Sequence, residues 1–223
     1  MRLPVRLAVF DCDGTLVDGQ ADVCWAMERA FTRAGLPAPD NHAIRRSVGL
    51  SLPAAVRSLA PDLTDDQNRT VTEFYRSSFR ARREEGLLDE PLYDGIADLL
   101  RGLHGEGWQL AVATGKSDRG LAACLASHGI ADLFVSLQTA DRHPSKPHPA
   151  MLEAAMFEAG AQAHEAVMIG DTSFDMVMAR SIGVAAIGVG WGYHGTPELL
   201  ASGAAQVVHT AAALTAALAE SLP

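Results

Sequence analysis

From about residue 90 onward, short runs of consecutive apolar residues alternate with longer stretches of helical spacing. This alternation leaves the chain few folds. The runs are 109–114, 133–139, 166–171, 184–190 and 204–210, with helix-like segments over 118–128, 147–159, 173–182 and 211–221 between and after them. Strands that are apolar on both faces belong in a buried parallel sheet with helices on either side. Residues 7–11 add one more such strand at the start.

Residues 18–86 contain no convincing strand. Val23, Ala26, Met27, Ala30, Phe31 and Ala34 repeat at helical spacing until Gly35 and Pro37 stop them. Ser51 with Pro53 opens a second helix. Thr64 and Gln67 form a capping box before a stripe of Val71, Phe74, Tyr75, Ser78 and Phe79. The expected organisation is an α/β core over 1–16 and 87–223, with a Rossmann-like parallel sheet, and an all-helical insertion over 17–86.

Charge divides along the same line. The chain has 223 residues and a formal net charge of −9. Residues 17–86 hold ten acids and ten bases, so the entire negative balance falls on the α/β part. An acidic chain is a poor candidate for binding nucleic acid or an anionic membrane surface. The apolar run at 7–10 is too short for a signal peptide, and 199–219 carries too many polar residues to span a bilayer, reading instead as a strand plus a terminal helix. Cys12, Cys24 and Cys124 form no CxxC pair, which suits a reducing compartment and a cytoplasmic location. None of the histidines shows metal-ligand spacing. The number of subunits is left open.

Four short segments carry chemistry. In an open parallel sheet, ligands bind beyond the carboxyl ends of the strands, where residues far apart in sequence meet. The first segment, Phe10-Asp11-Cys12-Asp13-Gly14-Thr15, places two carboxylates at one strand end. Such a pair repels itself unless a proton or a hard cation such as Mg²⁺ neutralises it. The second, Thr114-Gly115-Lys116-Ser117, ends a strand with a hydroxyl, a glycine and a cation, as a phosphate-binding helix start would. It is not a P-loop, because Leu110 stands where the first glycine is required. The third is Lys146 before Pro147. The chain has two lysines, Lys116 and Lys146, and the proline restricts the backbone at Lys146 and can open a helix. The fourth, Gly170-Asp171-Thr172-Ser173-Phe174-Asp175, puts two more acids around a strand end. Each segment alone is as readily a turn, a cap or a surface lysine. Together, acids for a cation and a hydroxyl, amides and an ammonium for an anion occupy the expected places of one βα array.

In this order the segments resemble the haloacid dehalogenase superfamily, over roughly residues 7–190, and within it the phosphoglycolate phosphatase-like branch. The resemblance implies that Asp11 is a nucleophile that forms an aspartyl-phosphate and that Asp13 is the general acid–base. It implies that Thr114, the Gly115 amide and Lys146 hold the phosphoryl group. Mg²⁺ would sit on the Asp11 carboxylate, the Asp13 carbonyl and Asp171, with Asp175 acting through Lys146 or water. The helical insertion would be that family's cap. Asp13 speaks against a dehalogenase, and the absence of lysine from the insertion excludes a Schiff-base phosphonate hydrolase. Thr15 favours a phosphatase over a mutase. Thr15, Lys116 and the cap residues Arg45 and Gly49 are the candidates for substrate selection; Gly19 and Gly115 replace residues common in the branch.

The expected reaction is Mg²⁺-dependent hydrolysis of a small phosphorylated metabolite, with 2-phosphoglycolate the first guess. A sugar phosphatase, a pyrophosphatase or a phosphomutase is the alternative. A phospho-acceptor signalling domain is disfavoured by the length, the insertion and a strand ending in Thr114 where the acceptor would stand.

Overall fold

The computed structural model describes residues 5–221, so positions 1–4 and 222–223 at the ends of the expected core lie outside it. Among the described residues, six strands form one sheet: β1 (Leu7–Phe10), β2 (Gln109–Thr114), β3 (Phe134–Thr139), β4 (Ala166–Gly170), β5 (Ala185–Val189) and β6 (Gln206–Val208). Their order is β3-β2-β1-β4-β5-β6 and every pairing is parallel. β1 is therefore central, with β2 on one side and β4 on the other. That reversal of winding opens a crevice at the carboxyl ends of β1, β2 and β4.

The period-two geometry of a strand explains why the central strands β1 and β4, buried on both faces, are apolar throughout. Leu7 and Val9 pack on one face with α7 (Ala150–Ala159), α8 (Ser173–Ser181) and α9 (Thr196–Ser202). Ala8 and Phe10 pack on the other with α5 (Ile96–Gly105), α6 (Asp118–Ser127) and α10 (Ala211–Ser221). Phe10, Leu100, Leu110 and Leu125 are almost fully buried, each worth roughly 1.5–3 kcal/mol of transfer free energy.

Between β1 and α5 lie α1 (Gln20–Arg33), α2 (Asn41–Ser47), α3 (Leu52–Leu59) and α4 (Asp65–Glu84). They have an apolar cluster of their own, centred on Met27, Phe31, Ile44, Val56 and Val71. The capping box is present: Gln67 N donates to Thr64 Oγ1 at 3.3 Å, and Thr64 N donates to Gln67 Oε1 at 2.9 Å. The two chain crossings into this insertion run side by side. Asp18 N donates to Pro91 O at 2.8 Å and Tyr93 N donates to Leu16 O at 3.0 Å.

Two expectations shift. Helix α7 opens at Ala150 instead of at Pro147; Ser145 to His148 close a turn first, and the Lys146–Pro147 peptide is cis. The stretch 199–219 contains part of α9 as well as a strand and the terminal helix. Pro197 lies in the first turn of α9 and Gly203 caps its end in the left-handed region, φ 119°. No helix among the described residues is long and apolar enough to cross a membrane.

Candidate active site

Asp11 follows β1 directly, and its amide still donates to Ile169 O on β4 at 2.9 Å. The pairing of central strands thus fixes the carboxylate above the crevice. Asp11 Oδ1 accepts from the Cys12 amide at 2.6 Å and lies 3.0 Å from Lys146 Nζ. Its Oδ2 is buried and has no hydrogen-bond partner. Burial pushes the Asp11 carboxyl up to about 7, with Lys146 opposing and the Asp175 charge adding to the shift.

Lys146 is buried between two acids, with Nζ 2.6 Å from Asp175 Oδ1. Burial works against the ammonium, yet Asp11 and Asp175 together hold its pKa above the ordinary lysine value. Asp175 joins two readings that the sequence left side by side. Its Oδ2 caps α8, accepting from Thr172 Oγ1 at 2.7 Å and Thr172 N at 3.2 Å. Its other oxygen holds Lys146.

Asp171 ends β4. Oδ1 accepts from Thr15 Oγ1 at 2.8 Å and Oδ2 accepts from Tyr193 N at 2.9 Å. Burial, then the charges of Asp11 and Asp175, raise its pKa well above the carboxylate range. Gly14, φ 80°, is required here: a Cβ would lie 2.2 Å from Asp171 Oδ2. Ligand atoms of Asp11, Asp171 and Asp175 lie within 4.8 Å of one another. Three buried carboxylates, one ammonium and an orphaned Asp11 oxygen leave an all-oxygen site short of positive charge. That donor set fits a hard divalent cation of the Mg²⁺ kind.

Asp13 turns its side chain the other way, toward Lys116, with Oδ1 2.9 Å from Nζ. The same Nζ lies 2.6 Å from Glu90 Oε1. Burial raises the Asp13 pKa against the pull of Lys116. Thr114 is buried at the end of β2. Gly115 follows, packed so closely under the insertion that a Cβ would sit 2.3 Å from Leu50 O. That contact explains a glycine at this position.

The candidates for substrate selection separate. Thr15 is fully buried and spends its hydroxyl on Asp171. The Lys116 ammonium is committed to Asp13 and Glu90. Gly49 lines a cavity of about 470 Å³ between the insertion and the sheet, which opens onto Asp13, Gly115 and Lys116. Arg45 does not line it; it is exposed on α2, beside Cys24. Arg46 turns instead to the core and forms a bidentate pair with Glu198, 2.5 and 2.7 Å.

Sequence reasoning missed Glu90, Tyr193 and His194. An acid before a proline, as in Glu90-Pro91, announces nothing. Tyr193 acts through its backbone amide, which leaves no side-chain signature. His194 is buried, with Nδ1 accepting from the Ser173 amide at 3.0 Å, and burial lowers its pKa.

A probable phosphatase, IndB, of Dickeya dadantii is 38% identical over 209 residues, 92% of this chain and 89% of that protein. A phosphoglycolate phosphatase of Vibrio vulnificus is 31% identical over 202 residues, 86% of this chain and 87% of that one. The crystal structure of a hydrolase from Pseudomonas syringae superimposes with a TM-score of 0.87 at 25% identity, covering 98% of this chain and 100% of its own. The model of the haloacid dehalogenase-like hydrolases matches residues 8–189, and the chain belongs to that family.

Proposed function

We propose that the protein is a Mg²⁺-dependent phosphatase that hydrolyses a phosphate monoester through an aspartyl-phosphate on Asp11. The observation that carries this reading is Asp11 itself: a buried carboxylate with one oxygen unpartnered and Lys146 on the other. Asp11 attacks phosphorus in line with the ester oxygen, and the P–O bond to the leaving alcohol breaks. Protonated Asp13 gives its proton to that oxygen. Asp13 then takes a proton from water as the water attacks phosphorus, and inorganic phosphate leaves with Asp11 restored. The Thr114 hydroxyl, the Gly115 amide and Lys146 hold the phosphoryl oxygens where negative charge gathers. A Mg²⁺ ion on Asp11, Asp171 and the Asp13 carbonyl would supply the remaining positive charge. Asp175 holds Lys146 in place.

Burial raises the Asp13 pKa, the direction that a proton donor requires. Helices α1–α4 act as a cap that shields the crevice from water, hinged near 16–19 and 86–91. The free cysteines fit a cytoplasmic enzyme. 2-Phosphoglycolate, named for the Vibrio relative, is the first substrate to try. Asp11→Asn should lower phosphate release by about 10³-fold or more, and rapid quenching of the unaltered protein should trap phosphate on Asp11. Normal turnover by Asp11→Asn would exclude the mechanism. Transfer of the phosphoryl group to another position of the substrate, without phosphate release, would mark a mutase.

A further inference from the structure

The cavity above the crevice is larger and differently lined than a carboxymethyl leaving group needs. A liquid water occupies about 30 Å³, so 470 Å³ leaves room for a body several times that group's size. One wall is apolar and flat. Tyr75 and Phe79, one turn apart on α4, stack with centroids 5.5 Å apart and planes 21° apart, and both line the cavity. Leu50 and Leu52 line it as well.

The cations of the lining fall into two groups. Near the reacting centre, Lys116 is occupied by Asp13 and Glu90. Arg83 lies 3.6 Å from Glu90, with a buried Nη2 that has no hydrogen-bond partner. Arg76 is paired with Glu73 at 2.8 Å. Arg80 on α4 and Arg119 in the first turn of α6 are exposed and line the cavity, and neither has a protein partner among the described residues. The lining holds two acids, Asp13 and Asp141, and Asp141 Oδ2 accepts from the Asp118 amide at 2.9 Å. Arginine is the side chain suited to planar, bidentate capture of a carboxylate or phosphate. Two guanidiniums without a protein partner among the described residues thus line one cavity with Tyr75, Phe79 and Asp13.

We infer that the leaving group of the substrate is a ring-bearing or similarly bulky apolar body with a second anionic group, which Arg80 and Arg119 bind. The inference rests on the phosphatase reading and names its substrate class. The apolar body lies along Tyr75 and Phe79, and the phosphate reaches down past Gly115 to Asp11. The second anion lies toward α6.

Initial rates with Mg²⁺ test this on 2-phosphoglycolate, phenyl phosphate, 4-carboxyphenyl phosphate and its longer 4-(2-carboxyethyl) analogue. At least one carboxylated aryl ester should show the highest kcat/KM. Arg80→Ala and Arg119→Ala should lower kcat/KM for that ester about tenfold or more, mainly through KM, as expected for a lost charged hydrogen bond. Phenyl phosphate should change by less than about twofold in the same variants, which also shows that they are folded. Greatest kcat/KM on 2-phosphoglycolate would overturn the inference and leave the phosphatase standing. So would equal losses on charged and uncharged aryl esters, or no loss on either. Absence of phosphate release from all four esters by the unaltered protein would overturn the phosphatase reading and the inference with it.

Discussion

Thr15 spends its only hydroxyl on Asp171, in a place where neither group meets water. Thr15→Val keeps the shape and removes the donor, leaving a buried carboxylate oxygen unsatisfied. A residue that orients a ligating carboxylate typically controls cation affinity by about 10–100-fold. The Mg²⁺ concentration for half-maximal activity should therefore rise at least about tenfold in Thr15→Val, as read by titrating the metal against phosphate release. An unchanged Mg²⁺ dependence would show that Thr15 does not position Asp171 for the cation. At this scale the sequence was legible for the side chains it singled out: Asp11, Asp171 and Asp175 around strand ends and Lys146 before Pro147 lie together. It was opaque where the backbone acts, as at Tyr193, and where a lone charge such as Glu90 finds its partner only through the fold.

Among the elements, α2 and α9 connect the insertion to the core. Arg46 grips Glu198 with both terminal nitrogens, and the Arg46 carbonyl faces His194 Nε2 at 3.3 Å. Nearby, the Ser51 amide donates to Ser145 Oγ at 2.8 Å. Both ends of the Arg46–Glu198 pair are about a third exposed, so Arg46→Ala should cost less than about 1 kcal/mol in urea unfolding. Its larger effect should fall on the crossings at 16–18 and 91–93, whose amide exchange should quicken as the insertion loosens. Unchanged exchange there would mean that the pair does not restrain the insertion. The central strands β1 and β4 were readable because both their faces are buried, which makes them apolar throughout. Helix α9 was not, since its seven residues give barely two turns and only Leu199 is buried. The start of α7 was misjudged for a related reason: a proline opens a helix only if its neighbours also adopt helical angles, and Ser145 to His148 form a turn instead.

For the whole molecule, the site sets a link between acidity, metal and stability. Asp11 is raised from 3.8 to about 7 in the folded state. Folding thus takes up a proton between those values, and without a cation its contribution to stability is lost as pH rises toward 7. A divalent cation binds the deprotonated acids and offsets that loss. Mg²⁺ should therefore raise Tm clearly above pH 7 and progressively less as pH falls below it, measured by thermal unfolding with and without the metal. An equal increment at every pH would place the bound cation elsewhere. The negative balance of the α/β part, against a neutral insertion rich in arginine, has a matching sense. In the proposed reaction the acids of the α/β part hold the cation, and the insertion contributes Arg76, Arg80 and Arg83 to the cavity above.

The chain's two lysines both lie at this site, Lys146 with a side chain wholly out of solvent and Lys116 with 8% exposed. The described surface accordingly presents no free lysine amine. At these two lysines, acylating reagents and amine cross-linkers should react only as the insertion lifts away from the sheet. Their rate of reaction then becomes a clock for the opening of the enzyme.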